Sequence, residues 1–390
     1  MIVRQFIQWI RGAHTQERAE ATTALARAYL YSELTPDDRA AAEGAMLVLL
    51  DDAWPPVRRA LADVLAASPD APAAVVHTLA GDLPEIAAPV LALSPLFVDA
   101  DLIDAVATGG SMVQSAIASR AALPRSVAAA IAEVGGAEAC LVLLNNREAD
   151  IAPFSLDRIA ERYGHLAELR EPLAARDDLS TAARQVLVTR LGESLAGYAV
   201  GSEWLDVDNA LRIAREACEK MTVALAAQTP DAELGPLIRH LRESGQLTAG
   251  FLLRALLSGN TALFEGALAE LTGVPVRRVS ALIYGSSLSG ARALFHKAGL
   301  PPSAYPAFRE AIEAMREGGF DGELKGAARL KWRMIDRVLA LWDNKEFGER
   351  APLITLQHRF ATEAAREEAR RFCDELVSRD SRSRRQRVAA

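Results

Sequence analysis

The chain has 390 residues, half of them hydrophobic and 24% charged, which is the composition of a globular protein and excludes dominant disorder. A chain this long buries a core large enough to fold without a disulfide or metal staple, and no apolar stretch reaches the 18 or more residues that span a bilayer. The net charge of −7 disfavours a general nucleic-acid binder, which needs a basic face.

The first residues, 1–11, are not a signal peptide, because Arg4, Gln5 and Gln8 interrupt the apolar positions. Ile2, Phe6, Trp9 and Ile10 share one helical face, which suits a helix docked on the body or a peripheral membrane contact. Thr35-Pro36-Asp37-Asp38 combines an N-cap hydroxyl, proline at the first helical position and acids in the first turn. Thr229-Pro230-Asp231 repeats that device, predicting a second helix start there. Apolar residues recur at three- and four-residue steps, as in Val57, Leu61, Val64 and Leu65, and no alternating strand pattern is present. The one short apolar run, Cys140 to Leu144, is leucine-rich and lies within a helical pattern.

Prolines 69, 72, 84, 95, 124, 153 and 172 punctuate the first half, predicting short helices with each proline in a turn or a first helical turn. The punctuation repeats. Ile117-Ala-Ser-Arg-Ala-Ala-Leu-Pro124 parallels Leu173-Ala-Ala-Arg-Asp-Asp-Leu-Ser180, with looser copies around Pro95 and Asn146. Taking Pro95, Arg120, Asn146 and Arg176 as equivalent gives steps of 25, 26 and 30 residues. A hairpin of that length cannot bury its apolar stripe alone, but stacked neighbours can. The expected fold is therefore all-α: a right-handed, HEAT-like short-repeat α-solenoid followed by a second helical domain. The expected divisions are N-terminal helices over 1–34, the solenoid over 35–192, a C-terminal helical domain over 193–350, a charged helix over 351–378 and a disordered basic tail over 379–390. In the second half the pattern predicts helices at about 206–228, 231–244, 247–257, 260–272, 275–284, 288–298, 304–316 and 325–343.

Several motifs are similar in combination to a known family: Leu143-Leu-Asn-Asn-Arg-Glu-Ala-Asp-Ile151, Leu173-Ala-Ala-Arg-Asp-Asp-Leu179, Gly245-Gln-Leu-Thr-Ala-Gly-Phe-Leu-Leu-Arg-Ala-Leu256, Leu271-Thr-Gly-Val-Pro275 and Lys297-Ala-Gly-Leu-Pro-Pro302. Over about residues 40–320 the chain resembles the bacterial domain of unknown function 2336, found mostly in alphaproteobacteria. The resemblance implies a helical, HEAT-like, cytoplasmic protein and carries no activity or catalytic residue.

Chemistry-bearing constellations are sparse. The six histidines form no metal-ligand spacing with each other or with Cys140, Cys218 and Cys373, so no metal and no cofactor is predicted, and the cysteines read as small buried hydrophobes. Asp206-Val-Asp208-Asn209 reads as a helix start rather than a calcium loop. Tyr284-Gly-Ser-Ser-Leu-Ser-Gly290 matches neither a P-loop nor a nucleophile elbow and reads as a turn between helices, capped by Ser287 or Ser289.

Two candidate surfaces stand out. Trp54, Arg58 and Arg59 cluster at one solenoid turn, and with the repeat positions Arg120 and Arg176 they are candidates for contact with a protein partner. Residues 268–283 read as a helix-turn-helix in which Ala269 allows close approach, Gly273 makes the turn and Val279 packs between the helices. Arg277, Arg278 and Ser280 then become candidates for nucleic-acid contact. The sequence thus predicts a cytoplasmic, non-enzymatic protein–protein interaction scaffold or regulatory adaptor, with DNA binding through 268–283 as the alternative.

Overall fold

The computed structural model describes residues 12–285 and 288–318, together with Trp9, Met334, Ile335, Arg337 and Thr362. Most of 1–11, the helices expected at 325–343 and 351–378 and the tail at 379–390 lie outside the described residues. Among the described residues there are nineteen α-helices, one 3-10 turn and no strand. The chain divides into two compact units between Arg190 and Leu191.

The first unit holds α1 (Thr15–Tyr31), α2 (Pro36–Leu49), α3 (Pro55–Leu65), α4 (Ala73–Ala80), α5 (Pro84–Leu93), α6 (Asp99–Thr108), α7 (Ser111–Ala118), α8 (Arg125–Val134), α9 (Ala137–Asn145), α10 (Pro153–Tyr163) and α11 (Ala167–Ala174). It also takes the first half of α12 (Thr181–Gly201). From α2 to α11 no helix exceeds 14 residues, and helices this short are marginal in isolation. Their stability comes from packing.

Each helix touches the next one, or the next but one, along the chain. α1, α3, α5, α7, α9 and α11 follow one another as one row; α2 meets α4, and α6, α8 and α10 follow one another as a second row. The apolar stripes close the space between them: Val57, Leu61 and Leu65 of α3, Val127 and Ile131 of α8, and Leu156 and Ile159 of α10 are all fully buried in one continuous core.

Helix starts follow local chemistry. The Thr35 hydroxyl accepts from the Asp38 N–H at 3.2 Å with Pro36 at the first position of α2. Pro84 and Pro153 open α5 and α10, Pro72 and Pro124 sit just before α4 and α8, and Pro69 and Pro95 lie in turns. Pro172 departs from the expectation and lies inside α11. The run from Cys140 to Leu144 is inside α9 as predicted.

Helix ends have a longer-range solution. The last carbonyls of a helix lack intrahelical donors and carry the negative end of its dipole. In the first unit a side chain from about one repeat later supplies the donors. Arg120, just beyond α7, donates to the carbonyls of Leu91 and Ser94 at the end of α5, at 2.5 and 2.8 Å. Asn146, just beyond α9, donates to Ala118 and Arg120 at the end of α7, at 2.9 and 2.8 Å. In the second row Arg162 donates to Ala132 and Gly135 at the end of α8, at 2.6 and 2.9 Å, and the Tyr163 hydroxyl joins it on Gly135 at 2.8 Å. Pro95, Arg120, Asn146 and Arg176, equivalent in sequence, thus each follow the end of a helix in one row. Arg176 itself turns to Asp178, and Arg184 of α12 donates to the carbonyls of Ala174 and Arg176 instead.

The second unit is built from the remainder of α12 with α13 (Val207–Gln228), α14 (Asp231–Glu243), α15 (Ala249–Leu257), α16 (Thr261–Thr272), α17 (Val276–Tyr284), α18 (Leu288–Lys297), the 3-10 turn Pro302–Ala304 and α19 (Tyr305–Gly318). These boundaries fall within about two residues of the predicted ones from α13 onward. The core gathers on α15, which is buried from Phe251 to Leu257, and on Phe264 and Phe308, whose rings stack at 5.8 Å. Gly266 lets α16 lie against α14, because a Cβ there would overlap the Ile238 side chain. Two expectations are corrected. Thr229 does not start α14; its hydroxyl donates back to the Leu225 carbonyl at 2.8 Å and it ends α13, leaving Asp231 to open α14. The long α12 has no counterpart in the predicted helices, since Gly192, Gly197 and Gly201 weaken its helical signal.

Arg58 forms one of the two most enclosed ion pairs among the described residues of the first unit, the other being Arg18 with Asp52. Arg58 meets both Asp82 carboxylate oxygens at 2.6 and 2.8 Å and the Asp52 carbonyl at 2.6 Å, while Asp52 receives Arg18 at 2.9 Å. The hydrogen bonds from Arg58 hold the Asp82 carboxyl below its ordinary value. Arg58→Ala is predicted to cost about 2–3 kcal/mol, read by denaturant unfolding, because it strands a largely buried carboxylate. A depressed carboxyl contributes stability above its unfolded value of about 3.9, and that contribution is lost as pH falls through the folded value. The gap between wild type and Arg58→Ala therefore narrows below about pH 4.

Candidate functional site

Three surfaces and one cavity collect side chains able to meet a ligand or partner. On the first unit Trp54 is more than half exposed at the start of α3, held by its backbone N–H on the Asp52 carboxylate at 2.9 Å. Arg59 is also exposed, with its guanidinium on Asp63 at 2.8 Å and on the Glu85 carbonyl at 2.6 Å. Arg58, one residue earlier, turns inward to Asp82. The structure therefore brings Trp54 and Arg59 to the surface and commits Arg58 to the interior. Arg120 is half-buried on the carbonyls of α5, and burial pushes its guanidinium down from its ordinary value. Arg176 is held by both oxygens of Asp178 at 2.8 and 2.7 Å. These five residues do not converge on one patch.

The segment 268–283 has the shape of two helices and a tight turn. Gly273 takes φ +67°, a left-handed conformation that suits glycine, and its N–H closes α16 on the Ala269 carbonyl at 2.8 Å. Val279 is fully buried, Ala269 packs against the same core, and Arg277 and Arg278 are exposed at the start of α17. Ser280 is placed differently from the two arginines. Its hydroxyl donates to the Glu265 carboxylate, which also receives the Tyr284 hydroxyl at 2.9 Å. Burial and the neighbouring Glu265 raise the Tyr284 hydroxyl well above its ordinary value, so it stays protonated and donating.

A surface not identified from the sequence runs over the second half of α12 and α13. Gly192 lets the two helices approach closely, since a Cβ there would overlap the Cys218 sulfur. Leu191, Leu195 and Tyr198 share one face of α12 and all are exposed. Trp204, 69% exposed, packs edge-on against Tyr198 at 5.5 Å, and Val207, Leu211 and Met221 of α13 are exposed as well. Nine large exposed hydrophobic side chains fall between Leu191 and Met221. The spacing of Leu191, Leu195 and Tyr198 carried the signal, but without the predicted helix it could not be placed on a face. Asp206 starts α13, accepting from the Asn209 N–H at 2.9 Å, as its reading as a helix start requires.

The fourth feature is a cavity of about 500 Å³ in the second unit, bordered by α17, α18, the 3-10 turn and α19. Among the described residues no group of three or more His, Cys, Asp or Glu could hold a metal ion, and no helix is long and apolar enough to cross a membrane. Cys140 is fully buried, and burial pushes its thiol up to about 11. It is predicted to resist a neutral-pH alkylating reagent in the native protein and to react only on unfolding, measured by peptide mapping after timed labelling.

No curated protein and no solved structure matches the chain. A family model does, over residues 86–341, described as an uncharacterised protein conserved in bacteria (DUF2336). That match begins within α5 and takes in α6 to α11, all of α12 and every described helix of the second unit. The chain belongs to this family.

Proposed function

We propose that the protein is a non-enzymatic interaction scaffold or regulatory adaptor, cytoplasmic, with a HEAT-like α-solenoid as its first unit. Two observations support the solenoid reading: the two rows of short helices, and the side chains that reach back from one repeat to the helix ends of the one before. Such stacking creates extended surface rather than a deep reaction cleft. Fold alone does not assign a role. The observation that carries the role is the exposed apolar surface of α12 and α13, where Leu195, Tyr198, Trp204 and Leu211 stand in water. Contiguous apolar surface with protruding aromatics is the chemistry of a protein-binding face. The partner this fits is another helical protein presenting an apolar stripe.

The test is capture of partners by the intact protein, with nuclease present, compared with Leu195→Asp/Trp204→Asp. The reading predicts a discrete protein, retained through nuclease treatment, whose recovery falls at least tenfold in the variant. Equal recovery by a variant with unchanged circular dichroism contradicts it.

A second reading is favoured by the exposure of Arg277 and Arg278 on α17: a DNA contact through 268–283. It predicts binding that weakens steeply with salt. Arg277→Ala/Arg278→Ala should reduce the slope of log K against log salt by about 2, since each lost phosphate contact removes about one released counterion. Gel shifts with no retardation at low salt contradict this reading.

A further inference from the structure

The cavity of the second unit has a chemistry that neither the scaffold nor the DNA reading uses. Its inner wall is apolar, from Ile283 of α17, Phe295 of α18 and Ile312 of α19. Arg292, Arg309 and Arg316 border it, and all three are exposed. One acid, Glu313, shares the lining. Arg309 is occupied, with Glu310 at 2.9 Å and Glu313 at 3.9 Å. Arg292 and Arg316 have no carboxylate partner among the described residues. Tyr305 also lines the cavity, and its buried hydroxyl has no hydrogen-bond partner among the described residues.

The chain around the cavity is biased in the same direction. Between Glu270 and Glu310 no Asp or Glu occurs, while Arg277, Arg278, Arg292, Lys297 and Arg309 do, in a protein of net charge −7. The local field therefore favours an anion. The volume is that of a small-molecule site.

We infer that this cavity binds a small amphiphilic anion, its apolar body against Ile283, Phe295 and Ile312 and its carboxylate or phosphate head at Arg292 and Arg316. An apolar wall beside two unneutralised guanidinium groups selects a molecule with both parts. Neither a bare anion nor a neutral hydrocarbon satisfies both surfaces.

Titration calorimetry on the full chain, below the micelle concentration of each probe, tests this with decyl phosphate, decanoate, decanol and inorganic phosphate. Decyl phosphate or decanoate, or both, should bind at one site per chain, at least tenfold more tightly than decanol or inorganic phosphate. Preference between the two anions identifies the head group. Arg292→Gln/Arg316→Gln should weaken that binding at least tenfold, with circular dichroism unchanged. Leu195→Asp/Trp204→Asp, which alters the other apolar surface, should bind as wild type does. The inference is overturned if neither anion binds saturably to the folded protein. It is equally overturned if decanol binds as tightly as the anions, if the arginine variant binds unchanged, or if binding is lost in the Leu195→Asp/Trp204→Asp variant.

Discussion

The first unit depends on how short helices dispose of their last carbonyls. Helices of eight to fourteen residues leave a large share of their backbone acceptors without intrahelical donors, and neighbours cover several of these ends. Arg120, Asn146 and Arg162 supply the missing donors from one repeat further along the chain. A guanidinium suits the site doubly, because it donates twice and places positive charge at the negative end of the helix dipole. The repeat is therefore held by polar contacts of fixed register as well as by the apolar stripes. A slip of one repeat against the next would leave both the carbonyls and a half-buried cation unsatisfied.

This explains why the recurring positions were visible in the sequence. Arg120 and Asn146 recur at a regular interval because the helix ends recur. Arginine at a regular interval on a stack of helices also looks like a row of partner contacts, and only the structure distinguishes a side chain turned to a carbonyl from one turned to water. Arg58 and Arg59 make the point within two residues. They are adjacent in sequence, yet one closes on Asp82 and the other is exposed. Helix boundaries in the second unit were legible because strong local signals mark them, such as Gly273 at the end of α16 and Asp206 at the start of α13. Thr229 was misread because a threonine hydroxyl bonds as readily to the carbonyl four residues back as to the N–H groups ahead.

The candidate sites were less legible, for a physical reason. The apolar surface of α12 and α13 is defined by what fails to cover it, and the anion cavity joins residues from α17, α18 and α19 that have no shared spacing. Sequence periodicity reports which residues share a face of one helix. It does not report which face is left open. The two features also differ in kind. One is a broad exposed surface suited to a macromolecule, the other a half-open cavity with fixed charge suited to a small ligand, and both lie in the second unit, on different helices.

Several helix ends in the first unit are satisfied by side chains about one helix pair further along the chain, so that stability passes between neighbouring helices. Hydrogen exchange on the intact Arg120→Met variant tests it most directly. Faster amide exchange is expected in both α5, whose carbonyls lose their donors, and α7, whose end Arg120 follows, with α14 to α16 of the second unit unchanged. Unaltered protection of α5 alongside a local change in α7 would contradict it.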